Sequence, residues 1–385
     1  MALSLSARMI RVGLMVIASI SLVGCGLFGK DDDRYKPAAL EAFSPGLAVQ
    51  IGWKAQVGSG SGIGFAPAVV NGAAFAATPD GSVAKVDLQT GAVVWKTTVD
   101  KRLSAGAGSD GNVTAVVTRE GMVVALDETG QVKWRTQATS DVSIPPVVGS
   151  GVVVVRSGDY RLQAFNAQTG ERIWNVQRPG PALALRAPAR LLMLEGLVIS
   201  GIPGGKLIGV NAVSGDVQWE GIVAVAKGST DLERVIDVVG IPTVVGPLLC
   251  AASYQGRVAC FDVTAGGRPA WAKDFSTLVG MTMDNRQAYA PSQIDIVTAF
   301  GLKDGSVAWT QEALRNRKLT SPAALGVAVA VGDFEGFVHF LAQDDGHLLA
   351  RISVGGGAIQ SPVISTPQGV LVQTGDGALV MLALK

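Results

Sequence analysis

Thr90-Gly91-Ala92-Val93-Val94-Trp95 decides how the chain is read, because its frame returns down the sequence. A turn glycine precedes a Trp by four residues at Gly91/Trp95, Gly130/Trp134, Gly170/Trp174, Gly215/Trp219, Gly267/Trp271 and Gly305/Trp309. With Trp53 these are all seven Trp of the chain, spaced by 42, 39, 40, 45, 52 and 38 residues. A period near 40 that combines alternating apolar residues with a Gly turn is the mark of a β-propeller blade rather than of a helical solenoid.

A second landmark keeps the same beat. Pro67, Pro146, Pro188 and Pro242 precede their Trp by 28, 28, 31 and 29 residues, and Pro322 lies 28 before Ala350, which holds the Trp place in a degenerate repeat. A Pro is tolerated at the first residue of a strand, so each is expected to open a blade. The last repeat, from Ser361-Pro362, stops at Lys385 before any Gly-to-Trp segment, while Trp53 lies on a strand with no blade before it. The two fragments complete each other. Residues 46–57 are expected to supply the outer strand of the last blade, closing an all-β, eight-bladed propeller of four-stranded antiparallel blades over residues 46–385.

With 16% charged residues and 49 Gly in 385, the chain is turn-rich and folded rather than disordered. Its N-terminus reads as an export signal over residues 1–24, with Arg8 and Arg11 ahead of thirteen small or apolar residues, too few to span a membrane. It ends in Leu22-Val23-Gly24-Cys25, which looks like a bacterial lipobox. That motif implies that Cys25 becomes the first mature residue and carries three acyl chains, and Gly26 in place of Asp directs the anchor to the outer membrane, on its periplasmic side. Three chains anchor stably where one holds only marginally. Residues 26–45, with Lys30-Asp31-Asp32-Asp33-Arg34 and two Pro, read with Cys25 as a flexible tether. Nothing in the charge suggests nucleic acid or a polybasic membrane patch.

Asp87, Asp127, Asn166, Asn211 and Asp262 recur three or four residues before the turn glycine. They are expected to cap turns rather than bind metal, since every repeat needs that turn. Cys250 and Cys260 lie symmetrically about Gln255, so a hairpin there places them opposite one another, as a disulfide or as two core thiols.

Chemistry is sparse. The two His, His339 and His347, lack a third metal ligand, and no nucleophile elbow, P-loop or dinucleotide fingerprint is present. Neither catalysis nor a metal or cofactor is expected. The alternatives are a quinoprotein-like dehydrogenase, which lacks its adjacent-Cys pair here, and a sugar- or peptide-binding propeller, for which free aromatics are few. Insertions instead mark the working surface. Ten or so extra residues between Trp219 and Pro242 include Lys227 to Asp237, and the preceding connection holds Leu183-Ala184-Leu185-Arg186-Ala187-Pro188.

Over the mature chain these residues resemble the BamB family of outer-membrane-protein assembly lipoproteins, whose propeller is related to those of pyrroloquinoline-quinone enzymes. The closest correspondence is at Leu183-Ala184-Leu185-Arg186, at Gly228-Ser229-Thr230 through Arg234 and Asp237, and at Leu319 to Pro322 through Asp333 and Glu335. The resemblance implies a scaffold within the Bam complex whose blade-four and blade-five loops bind periplasmic POTRA domains of the insertase BamA, with unfolded outer membrane proteins as further partners. It assigns partner binding to Leu183, Leu185, Arg186 and Asp237, while the family's second acid is Val239 here. Asp333 and Glu335 are expected on the far side of the propeller from that patch.

Overall fold

The structure is a computed structural model and describes residues 35–178, 189–230 and 232–385. Cys25, Leu183, Leu185, Arg186 and Pro188 therefore lie outside the described residues.

Each repeat forms one antiparallel four-stranded sheet, and there are eight of them. Blades one to seven run over residues 68–98, 108–137, 147–177, 192–222, 237–275, 282–311 and 323–353. In each, successive strands are sequence neighbours, from an inner strand such as Val147–Gly149 to an outer one such as Arg172–Gln177. The eighth joins Ile364–Thr366, Gly369–Gln373 and Ala378–Leu384 to Val49–Gln56, which pairs antiparallel with the third strand from Val49↔Leu384 to Gln56↔Ala378. The expected ring closure is therefore present, and no sheet is left short of its outer strand.

Strand composition explains the layering. Second and third strands are nearly all buried, as in Val152–Arg156, because blades cover both of their faces. Outer strands alternate, as in Val132–Gln137, with polar residues toward solvent. The core consequently lies between blades rather than at one centre. One apolar cluster joins Val123, Trp134 and Val153 across blades two and three, and another joins Trp309, Val329 and Leu341 across blades six and seven.

The Trp and its glycine link neighbouring blades. The ring of each Trp lies against the turn glycine of the next blade, so that a Cβ on Gly170 would stand 2.7 Å from Trp134 Cδ2. Those glycines also adopt positive φ, +77° at Gly170, which suits glycine alone. In six of seven cases the indole N–H then donates to a carbonyl of that next turn, as Trp134 does to Ala167 at 2.9 Å and Trp174 to Ala212 at 2.9 Å. Acid or amide side chains before the glycine hold the turn: Asp87 Oδ1 accepts from the N–H groups of Gln89 and Thr90, and Asn166 Oδ1 from those of Gln168 and Thr169. They serve as turn caps, as expected.

One local expectation changes and one open alternative is decided. Pro67, Pro146 and Pro322 stand at strand entrances, but Pro242 lies inside Asp237–Val245, where pairing jumps from Val239↔Ala252 to Thr243↔Cys250. The bulge absorbs the missing N–H. Part of the insertion thus lengthens the inner strand of blade five. Cys250 and Cys260 pair in register and form a disulfide, with Cα atoms 4.1 Å apart.

Candidate functional site

In an up-and-down blade, the turns between strands one and two and between three and four share one end. The turns between two and three, and the connections to the next blade, share the other. We call these ends the turn face and the connection face. Both segments singled out by the sequence, 183–186 and 227–237, belong to connections into blades four and five.

These connections enter side by side. Ala189 forms a parallel bridge with Gly240, and the Arg190 N–H donates to the Gly240 carbonyl at 2.8 Å. Asp237 begins the inner strand of blade five, only 6% exposed, bridged to Pro203 of blade four. Close by, Arg156 donates from Nη1 to the Gly201 carbonyl at 2.5 Å. Burial lowers the pKa of this guanidinium, an effect that the charge of Asp237 partly offsets. Burial also pushes Arg190 down, to about 10. Val239, at the place of the family's second acid, is 1% exposed and packs in the blade interior. An acid here would meet the interior rather than solvent.

The insertion is a compact turn. Glu233 N–H donates to Thr230 Oγ1 while Glu233 Oε2 accepts from the N–H groups of Ser229 and Thr230, a reciprocal capping box. Those backbone donors hold the Glu233 carboxyl below its ordinary pKa. Arg234 Nε donates to the Gly228 carbonyl at 3.1 Å and closes the loop. Gly228 has φ +125° and leaves no room for a Cβ beside Glu233. With Glu233 and Arg234 bonded back to its own backbone, the loop offers apolar side chains: Leu232 is 72% exposed and Val225 63%. Sequence reasoning missed Arg156, Arg190 and Leu232 because none occupies a recurring position of the repeat.

Asp333 and Glu335 are not on the opposite side. They lie in the turn between strands two and three of blade seven, hence on the connection face too. Asp333 is fully buried and accepts from Arg317 Nε at 2.8 Å, with His339 Nε2 2.9 Å away, while Glu335 pairs with Arg317 Nη2. The two acids brace a buried arginine, so a charge swap at Asp333 disturbs the fold.

A closed ring of eight blades, seven of its junctions covered by a Trp, with its insertions gathered on one face, is a quinoprotein-like propeller whose distinctive features are loops for contact. Residues 79–311 match the model of the family described as outer membrane protein assembly factor BamB. The assembly factor BamB of Bordetella pertussis is 62% identical over 97% of this chain and 96% of its own. That of Burkholderia pseudomallei is 38% identical over 94% and 95%. The crystal structure of BamB from Moraxella catarrhalis superposes with a TM-score of 0.80 at 25% identity, over 87% of this chain and 100% of that one. A quinohemoprotein alcohol dehydrogenase from Comamonas testosteroni shares the fold, with a TM-score of 0.65 at 13% identity over 87% and 76%. The chain belongs to the BamB family: it is a non-enzymatic outer membrane protein assembly factor, an outer-membrane lipoprotein and a member of the Bam complex.

Proposed function

We infer that the chain holds the periplasmic POTRA domains of the insertase through the connection face at blades four and five. Leu183, Leu185 and Arg186 supply the contact, and Asp237 supports it from below. The adjacency of the two connections, drawn together by Arg190 N–H and the Gly240 carbonyl, carries this reading. Arg with flanking apolar residues is the composition of interface hot spots, each costing about 2 kcal/mol or more on truncation. Leu232 adds an exposed apolar side chain in the connection into blade five.

Capture of the insertase from a membrane extract tests the assignment. Arg186→Ala and Leu183→Ala lose most of the captured insertase with thermal unfolding unchanged, whereas Asp237→Ala weakens capture and lowers the melting temperature together. Controls belong on the turn face, at Lys303→Glu or Asp345→Lys. Normal capture by the patch variants with loss by the controls places the contact on the wrong face. Cys25 is the proposed acyl attachment site, and Cys25→Ala moves the folded protein out of the membrane fraction; retention there in the absence of the insertase refutes that.

A further inference from the structure

The stretch before the closing strand is fastened to blade seven. The Ala38 N–H donates to the Arg315 carbonyl at 2.9 Å, and Arg317 Nη1 donates back to the Ala38 carbonyl at 2.9 Å. Leu40 packs against the cluster holding Trp309, Leu314 and Leu319. Arg351 Nη2 donates to the Glu41 carbonyl at 3.1 Å, and its guanidinium lies 5.1 Å from the centre of the Phe43 ring. The N–H groups of Gly46 and Leu47 then both reach the Leu349 carbonyl. A reading that counted all of residues 25–45 as flexible does not anticipate this strap.

The strap also has a direction. Arg315 and Arg317 belong to the connection from blade six to blade seven, so Ala38 lies at the connection face. Leu349 is near the start of the outer strand Leu348–Ser353, so Gly46 lies toward the turn face. The anchor of Arg317 is buried: its side chain is 3% exposed against an Asp333 that is fully buried. A guanidinium held by buried carboxylate oxygens is costly to pull away, because separation leaves an unpaired buried charge.

We propose that this strap sets the orientation of the anchored protein, delivering the tether to the rim of the connection face so that this face, and not the turn face, looks toward the lipid surface. Twelve residues separate Cys25 from Ala38. A flexible coil of that length would span roughly 20 Å at rest, and no chain of that length can span more than about 40 Å. A blade strand with its turns is roughly 20–25 Å tall. Starting from the connection face, the relaxed tether reaches lipid without passing the blade, whereas presenting the turn face stretches it toward its limit. Released as far as Leu47, the tether has 22 residues and no such preference. The inference rests on the lipid anchor and is independent of the POTRA assignment, since no insertase takes part in its test.

The lipidated full chain is reconstituted in vesicles whose headgroups carry a quencher. A fluorophore is placed through Gln360→Cys, exposed in the connection out of blade seven, or Lys303→Cys, exposed in a turn-face turn of blade six. The Gln360 label is expected to be quenched severalfold more than the Lys303 label. In Ala38→Pro/Leu40→Ser/Phe43→Ser/Arg351→Ser, which removes the Ala38 amide and the contacts from Leu40 to Phe43 while leaving buried Arg317 in place, the amides of Gly46 and Leu47 exchange faster and the two labels approach equality. Arg317→Met is the stronger release, and the strap variant guards against its misfolding. Equal quenching in the wild type, stronger quenching at Lys303, quenching at neither, or an unchanged ratio once exchange shows the strap free overturns the proposal.

Discussion

Trp95 lies against Gly130, whose Cβ would stand 2.7 Å from its ring, yet its buried indole N–H finds no acceptor. The reason is one missing residue. Blade two passes from Asp127 to Gly130 in three steps, where Asp87 to Gly91 and Asn166 to Gly170 take four. The tighter turn, closed by Gly130 N–H to the Asp127 carbonyl, does not present the carbonyl that serves Trp53, Trp134, Trp174, Trp271 and Trp309.

An unpaired buried donor costs about 1–3 kcal/mol. Trp95→Phe should therefore be milder than Trp134→Phe, which breaks the bond to Ala167, by about 1–2 kcal/mol in denaturant unfolding. Inserting one residue between Glu128 and Thr129 should stabilise the wild type but not Trp95→Phe. Equal gains in both backgrounds would show that the indole N–H is not what the longer turn satisfies.

The glycine side of the contact can be separated from its φ. Gly151 and Gly170 have φ of +78° and +77°, but a Cβ on Gly151 meets nothing within 4 Å while one on Gly170 meets the Trp134 ring. Gly151→Ala should cost about 1 kcal/mol from backbone strain alone. Gly170→Ala should cost about 1–3 kcal/mol more, as overpacking does. Similar losses in the two variants would mean that the ring moves aside freely.

The fold was legible because each blade repeats its own local chemistry: a turn glycine, a capping Asp or Asn, and a Trp to cover the next blade. The same regularity revealed the closure, since the last blade lacked what Trp53 supplied. Ala350 stands where a Trp would need a glycine turn in blade eight, but there the third and outer strands come from opposite ends of the chain. Contacts without periodicity were not legible. Ala38 meets Arg317 across 279 residues, and the same arginine pairs with the buried Asp333. The candidate site was legible as insertions, while the arginines beneath it lie on strands and loops that carry no common pattern.

Acid should loosen blade seven through His339. Its Nε2 faces Asp333, which when ionised can only accept, so the neutral ring carries its proton there and leaves Nδ1 without a partner. Burial lowers the His339 pKa, with Arg351 and Arg317 nearby adding to that, and Asp333 only partly offsets it. A folded pKa below the unfolded value of 6.5 means that the unfolded chain binds the proton more readily. The contribution is thus complete above pH 6.5 and is lost as pH falls toward the folded value. The melting temperature should drop from pH 7.5 to 5.5, and His339→Gln should flatten that slope. An equal slope in the variant would assign the loss elsewhere.

The Cys250–Cys260 bridge joins residues ten apart whose strands already pair in register. Closing so short a loop limits the unfolded chain by about 3 kcal/mol or less. Cys260 also occupies the small-residue place held by Ala125 and Ala164 in blades two and three, each opposite its Trp. Replacing both Cys with Ala therefore removes the cross-link with little change in packing. Protein denatured without reductant should show neither thiol free. Reductant should lower the melting temperature of the wild type and leave that of the double Ala variant unchanged. Two free thiols in the unreduced protein would mean that the hairpin holds its register by pairing alone.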